Sequence, residues 1–185
     1  SGQPLRPFTL PNLVGFIRLL AIPVFLVIAF TTEDGESWLA AGSFWCISAG
    51  DYLDGFLARM TGQYSRLGAL LDPVVDRLTI LSGASVAWYF ELLPRWLLAL
   101  LVLREVLILI LARWGLRHGI DIEVNWIGRM AVFPVMSALF FAMIWPGWFP
   151  TTLLVIGVVM AYVALYLYAR VGRDQYRAAA DSAQP

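Results

Sequence analysis

Apolar residues fill this chain in six long stretches, near 12–31, 37–58, 67–90, 95–115, 126–145 and 150–169, separated by short polar or turn-forming breaks. About 20 apolar residues in an α-helix span roughly 30 Å, the thickness of a bilayer's hydrocarbon core. The breaks differ in chemistry. Thr32 to Glu36 is polar, Thr61-Gly62-Gln63 is a turn, and Leu93-Pro94 starts a helix. Residues 116–125 form a polar loop, and Trp145-Pro146-Gly147-Trp148-Phe149-Pro150 reads as a tight hairpin. The pattern predicts an all-α, polytopic membrane protein: one domain, 1–185, with six transmembrane helices. A polar tail follows from Arg170, and its end, Ala179–Pro185, is expected to be disordered.

Composition points the same way. Sixty per cent of residues are apolar and 14% charged, against about 25% charged in a soluble domain. Such a chain needs an exterior solvent that accepts apolar surface. Net charge is zero, so nothing electrostatic argues for a nucleic-acid partner. The single Cys46 cannot form an intrachain disulfide and is expected in core packing. The single His118, a loop residue, cannot build a multi-histidine metal site.

Arginine placement orients the spans. One set of loops and ends carries Arg6, Arg59, Arg66, Arg113, Arg117, Arg170, Arg173 and Arg177, while the other carries Arg95 beside Glu33, Asp34, Glu36 and Glu91. The arginine-rich side is expected in the cytoplasm with both termini, making this a multi-pass protein of the cell's inner, cytoplasmic membrane. Trp38, Trp88, Trp96, Trp145 and Trp148 then mark the outer interface, and Trp114 and Trp126 the inner one.

Four aspartates interrupt the second and third stretches: Asp51, Asp54, Asp72 and Asp76. Each ionised aspartate near a bilayer centre costs about 2.5–3.5 kcal/mol, so four need strong compensation. Asp51 and Asp54 are spaced i, i+3, and Asp72 and Asp76 i, i+4, so each pair shares a helix face. Two antiparallel spans joined by a short turn bring the pairs to similar depth. An all-oxygen cluster of this kind suits two hard divalent cations, Mg²⁺ or Mn²⁺, whose remaining ligands would be phosphate oxygens. Gly55 and Ala58 continue the Asp51/Asp54 face and Gly68 precedes Asp72 by one turn, leaving room for a ligand. Arg59 is placed to meet a phosphate, and Ser65 offers a hydroxyl in the turn.

The pattern Asp51-x2-Asp54-Gly55-x2-Ala58-Arg59-x8-Gly68-x3-Asp72-x3-Asp76 resembles the signature of the CDP-alcohol phosphotransferase (phosphatidyltransferase) family at every fixed position. Thr9-Leu10-Pro11-Asn12, Arg18 and the six-span layout also look like the bacterial phosphatidyltransferases. The resemblance implies that Asp51, Asp54, Asp72 and Asp76 hold two metal ions, with Asp76 also the general base. It implies CDP contacts from Asn12, Gly55, Ala58, Arg59, Ser65 and Gly68. The acceptor alcohol would attack the lipid-bearing phosphorus of CDP-diacylglycerol and release CMP, at a site facing the cytoplasm. Family members are commonly homodimers, so a homodimer among membrane lipids is expected.

Two other readings compete. The aspartates could form a structural ion-pair network with Arg59, Arg77 and Arg104. They could also line an ion path, because intramembrane carboxylates mark such paths; but a path distributes acids over several spans and depths. For the acceptor, the candidate contacts are Arg104, deep in the fourth span beside Glu105, and Arg113, Arg117 and Arg129 near the cytoplasmic ends, whose plain role is snorkelling to lipid phosphates. Residues 125–132, Asn-Trp-Ile-Gly-Arg-Met-Ala-Val, resemble the Gly-Lys-x-Lys-Thr stretch of phosphatidylglycerophosphate synthases, with Arg129 for the first Lys, Ala131 for the second and Val132 for the Thr. Asp72-Pro73-Val74-Val75-Asp76-Arg77 also looks like cardiolipin synthases of this family. Glycerol 3-phosphate is the favoured acceptor and phosphatidylglycerol the alternative.

Overall fold

The breaks in the apolar pattern fall at helix ends in the computed structural model, which describes residues 10–61, 66–117 and 126–182, with side chains placed outside 10–11, 51–59, 61, 66–70, 116, 126–127, 129 and 176–182. Six helices carry these residues: α1 (Leu10–Phe30), α2 (Trp38–Thr61), α3 (Arg66–Tyr89), α4 (Arg95–Arg117), α5 (Trp126–Ala142) and α6 (Trp148–Ser182). No strand occurs among the described residues. Five helices match the expected spans to within a few residues. The sixth does not stop at 169 but continues to Ser182. Nothing in the tail breaks a helix: Ala178 to Ala180 are the strongest helix formers, and Arg170 reaches Asp174 one turn on at 4.0 Å. The expected disorder from Ala179 is therefore wrong as far as Ser182, and 183–185 lie outside the described residues.

By length and hydropathy, two of the described helices could cross a membrane, Asn12–Phe30 (mean hydropathy 2.6) and Trp148–Gln175 (2.2), and Met130–Ala142 is a shorter apolar segment. The others carry the charges of interest, Asp51 and Asp54 in α2, Asp72, Asp76 and Arg77 in α3, Arg104 and Glu105 in α4. These charges lower the mean hydropathy of otherwise apolar helices.

Phe25 of α1 and Phe44 of α2 meet with ring centroids 5.4 Å apart, and Leu98, Leu139, Met143 and Leu154 complete a fully buried centre. Large apolar residues also face outward: Leu20, Val24 and Val27 on α1, Val159, Val163 and Tyr166 on α6. An exterior this apolar marks a surface meant for lipid or protein rather than for water. Small residues bring the helices close. A Cβ at Gly157 would lie 2.6 Å from Val135 Cγ2 and 3.0 Å from the Val135 backbone nitrogen, and one at Gly83 would lie 2.7 Å from the Phe44 ring. Such contacts are how helices pack where the surrounding solvent supplies no hydrophobic drive.

One end of the bundle is tied together by its turns. Ser37 caps α2, its hydroxyl accepting from the Ala40 N–H at 3.2 Å, while its own N–H donates to Met143 O at the end of α5 at 2.8 Å. Gly35 takes φ +77° with its Cα against the Phe90 ring, where a Cβ would come within 2.5 Å. Trp38, Trp88, Trp96, Trp145 and Trp148 are exposed around this end, and Arg95 sits 5.8 Å over Trp88. Cys46, expected in the core, is exposed instead. Phe44 and Ile47 occupy the buried face of α2, which turns the residues between them outward.

α1 packs against both α2 and α3. Separated in sequence by the whole of α2, α1 and α3 run in the same direction, and this parallel pairing builds the site.

Candidate active site

Asp72 and Asp76 lie one turn apart on the α3 face that meets α1. Parallel packing matches them with residues of α1 at the same spacing. A Cβ on Gly15 would stand 3.9 Å from Asp72 Oδ1, so the missing side chain leaves open the space beside that carboxylate. One turn on, Arg18 Nη2 donates to Asp76 Oδ1 at 2.7 Å. Arg18 is 3% exposed and Asp76 36%. Arg18 is the desolvated member of the pair, and the exposure of Asp76 lets solvent screen the carboxylate. The guanidinium is held a second time, Nε donating to Ile47 O of α2 at 2.9 Å.

The α2 half of the cluster is placed by its backbone. Asp51 precedes the end of α2 by ten residues and Asp76 follows the start of α3 by ten. At about 1.5 Å per residue Asp51 and Asp76 lie roughly 15 Å from the last residue of α2 and the first of α3, and Asp54 and Asp72 roughly 10 Å. The two acid pairs therefore share a depth on adjoining helices. The side chains of Asp51, Asp54 and Arg59, the residues Gly55 and Ala58 as contact positions, and Ser65 lie outside the described residues; Gly68 falls in the first turns of α3. Asn12, in the first turn of α1, is buried at 1% exposure and engaged in a polar contact.

A second charged group occupies the α3–α4 contact. Glu105, 6% exposed, pairs with Arg104 beside it and with Arg77 Nε at 3.6 Å. Among the described residues the Arg104 Nε has no hydrogen-bond partner. Arg77 and Arg104 thus answer Glu105, and the described partner of Asp76 is Arg18. Arg113 and Arg117 are exposed at the far end of α4, and the Arg129 side chain lies outside the described residues. Of the three acceptor candidates whose side chains are described, Arg104 turns inward and Arg113 and Arg117 outward.

Sequence reasoning placed Arg18 only by resemblance and passed over Gly15 and Gly50. The available signal was an arginine in the middle of the first apolar stretch, since a charge there requires a partner at the same depth. A cavity of about 310 Å³ adjoins this pair, its wall formed by Phe44, Trp45, Val132, Phe133 and Met136 together with Arg18 and Asp76. It is an apolar slot with its charged groups beside the acid, the composition typical of a site for a partly apolar ligand.

Comparison with known proteins identifies the family. Residues 8–168 match the profile of the CDP-alcohol phosphatidyltransferase family. The chain is 39% identical over 138 residues to a cardiolipin synthase (CMP-forming) of Streptomyces coelicolor, covering 72% of this chain and 64% of that protein. It is 31% identical over 170 residues to the CDP-diacylglycerol–glycerol-3-phosphate 3-phosphatidyltransferase of Escherichia coli K12, covering 89% of this chain and 88% of that one. A protein of the same description from Shigella flexneri is 30% identical over 167 residues. The chain thus spans less than two thirds of its Streptomyces relative and most of the enterobacterial ones.

Proposed function

The chain belongs to the CDP-alcohol phosphatidyltransferase family, and from that premise we propose that it transfers the phosphatidyl group of CDP-diacylglycerol to glycerol 3-phosphate, releasing CMP. The observation that carries the reading is the acid pair of α3 set against α1, with Asp76 anchored to Arg18 at 2.7 Å. An oriented carboxylate within reach of an acceptor hydroxyl is what a general base requires. Glycerol 3-phosphate is favoured because the relatives so described match over nearly their whole length.

The donor set would fit a divalent metal: two aspartate pairs, carried at matching distances along α2 and α3, offer hard oxygen ligands, and Gly15 leaves open space beside Asp72. Asp51, Asp54, Asp72 and Asp76 would hold two such ions. Bound there, they would supply Lewis acidity and neutralise pyrophosphate charge. The chain's own residues do the rest. Asp76 takes the proton of the acceptor hydroxyl, and its carboxylate is pointed by Arg18. Asn12, Gly55, Ala58, Arg59, Ser65 and Gly68 form the CDP side of the site.

A second reading, phosphatidylglycerol as acceptor, is favoured by the apolar cavity beside Asp76, which suits an acyl chain, and by the Streptomyces relative. Purified protein given radiolabelled CDP-diacylglycerol and each acceptor in turn decides between them. A phosphatidylglycerophosphate product supports the first reading, cardiolipin the second, and neither product with either acceptor overturns both.

The site faces the cytoplasm in this proposal, with six spans in the inner membrane. Gly35 is unsuited to a reporter cysteine, given its φ of +77° and the Phe90 ring, so exposed Glu36 and Arg173 serve instead. In a Cys46→Ala background, an impermeant maleimide applied to intact cells is expected to label Glu36→Cys and to spare Arg173→Cys until the cells are opened. The opposite pattern would invert the orientation.

A further inference from the structure

Arg18 crosses from α1 to the acid on α3, and what makes the crossing possible is an absent side chain on α2. A Cβ at Gly50 would lie 2.7 Å from Arg18 Cδ, 2.9 Å from Cγ and 3.3 Å from Nε. The arginine stem therefore lies in a notch at Gly50. Beyond the notch the guanidinium is anchored twice, by Nε to Ile47 O at 2.9 Å and by Nη2 to Asp76 Oδ1 at 2.7 Å. We propose that Arg18 is a positioning residue for Asp76 and that Gly50 is part of the same device: three helices lock one carboxylate in a single orientation through one planar fork. The inference rests on the reading of Asp76 as base and metal ligand.

A counter-charge alone would need neither the fork nor the notch. Lysine keeps the charge but cannot hold Ile47 O and Asp76 Oδ1 with two rigidly related N–H groups. A methyl group at Gly50 changes no charge yet falls well inside contact distance of the arginine stem. The two substitutions therefore attack the same geometry from different helices and should not add, as for residues acting through one contact.

The test uses the full-length protein with Arg18→Lys, Gly50→Ala, the double variant, Asp76→Asn, and Gly42→Ala as control, since a Cβ at Gly42 meets nothing within 4 Å. Thermal unfolding in chelator checks that each folds. Free Mn²⁺ measured by electron paramagnetic resonance then gives metal affinity, and steady-state assays give kcat and KM. Losing the partner that orients a ligating carboxylate costs about 10–100-fold in affinity or activity. Arg18→Lys and Gly50→Ala are each expected to weaken Mn²⁺ binding by about tenfold and to lower kcat by 10–100-fold at saturating metal, with KM for CDP-diacylglycerol unchanged. The double variant should be no worse than the poorer single one, and Gly42→Ala should match the parent. Wild-type Mn²⁺ affinity and kcat in either single variant, or losses that multiply in the double, would overturn the proposal. If Asp76→Asn itself changes neither quantity, the reading of Asp76 fails instead, so the two failures are told apart.

Discussion

Asp76→Asn is expected to yield a folded protein that still binds CDP-diacylglycerol and turns over about 10²–10⁴-fold more slowly, the usual worth of a general base. The amide is the same size and keeps a carbonyl oxygen. That oxygen can still accept from Arg18 Nη2, which in the parent reaches Asp76 Oδ1 at 2.7 Å. The buried guanidinium is therefore not left without an acceptor, and the folding penalty of a broken pair is largely avoided. What the amide cannot do is take a proton. Asp76→Asn should also bind metal more weakly, but excess Mg²⁺ should not restore its rate. Asp51→Asn is expected to lose metal affinity while keeping the base, so excess Mg²⁺ should restore part of its rate. Single-turnover assays across a Mg²⁺ titration separate the two variants. Substantial activity of Asp76→Asn at ordinary Mg²⁺ would assign the proton to another group or to water.

Chelation is expected to have the larger effect. On the proposed reading of the four aspartates as the metal ligands, EDTA should reduce turnover below detection, and Mg²⁺ or Mn²⁺ should restore it. Metal binding should also appear as stability, because an ion that binds the folded chain alone adds about 2.7 kcal/mol at a hundredfold excess over its dissociation constant. A melting temperature that rises with Mn²⁺ in the parent, and less in Asp72→Asn, would tie the effect to α3. Full turnover in chelator would rule out the metal site.

Much of this arrangement was legible from residue order. The breaks at Thr32 to Glu36, at Leu93-Pro94 and around Trp145 to Pro150 fix helix ends because each carries a polar glycine turn or a proline, and helices begin or stop there. The i, i+4 spacing of Asp72 and Asp76 predicted a shared face, and both reach the α1 side of α3. Partners from distant helices were not legible. The hydrogen bond from Arg18 to Asp76 spans 58 residues, and spacing within a helix says nothing about which neighbour it packs on. The Gly50 notch was hidden for a related reason, since a glycine in an apolar helix looks the same whether it faces lipid or another helix. Arg104 was read without a fixed partner although its neighbour in sequence, Glu105, holds it; adjacent positions on a helix ordinarily diverge. The end of α6 was misjudged because polarity was taken as a stop, whereas a helix stops for want of hydrogen bonds or at a breaking residue.

At 35 residues, α6 is about 52 Å long, whereas an upright crossing of a hydrocarbon core of about 30 Å uses roughly 20 residues. Some 20 Å of continuous helix would then project beyond the hydrocarbon core, through and past the headgroups, as a stiff mast. Its charged turns, with Arg170 facing Asp174, suit water. A helical partner protein spliced without a break onto that mast would inherit its direction instead of swinging on a tether. For a chain of only 20.7 kDa, small by the standards of electron cryomicroscopy, the charged turns of α6 thus offer a natural place for a rigid fiducial.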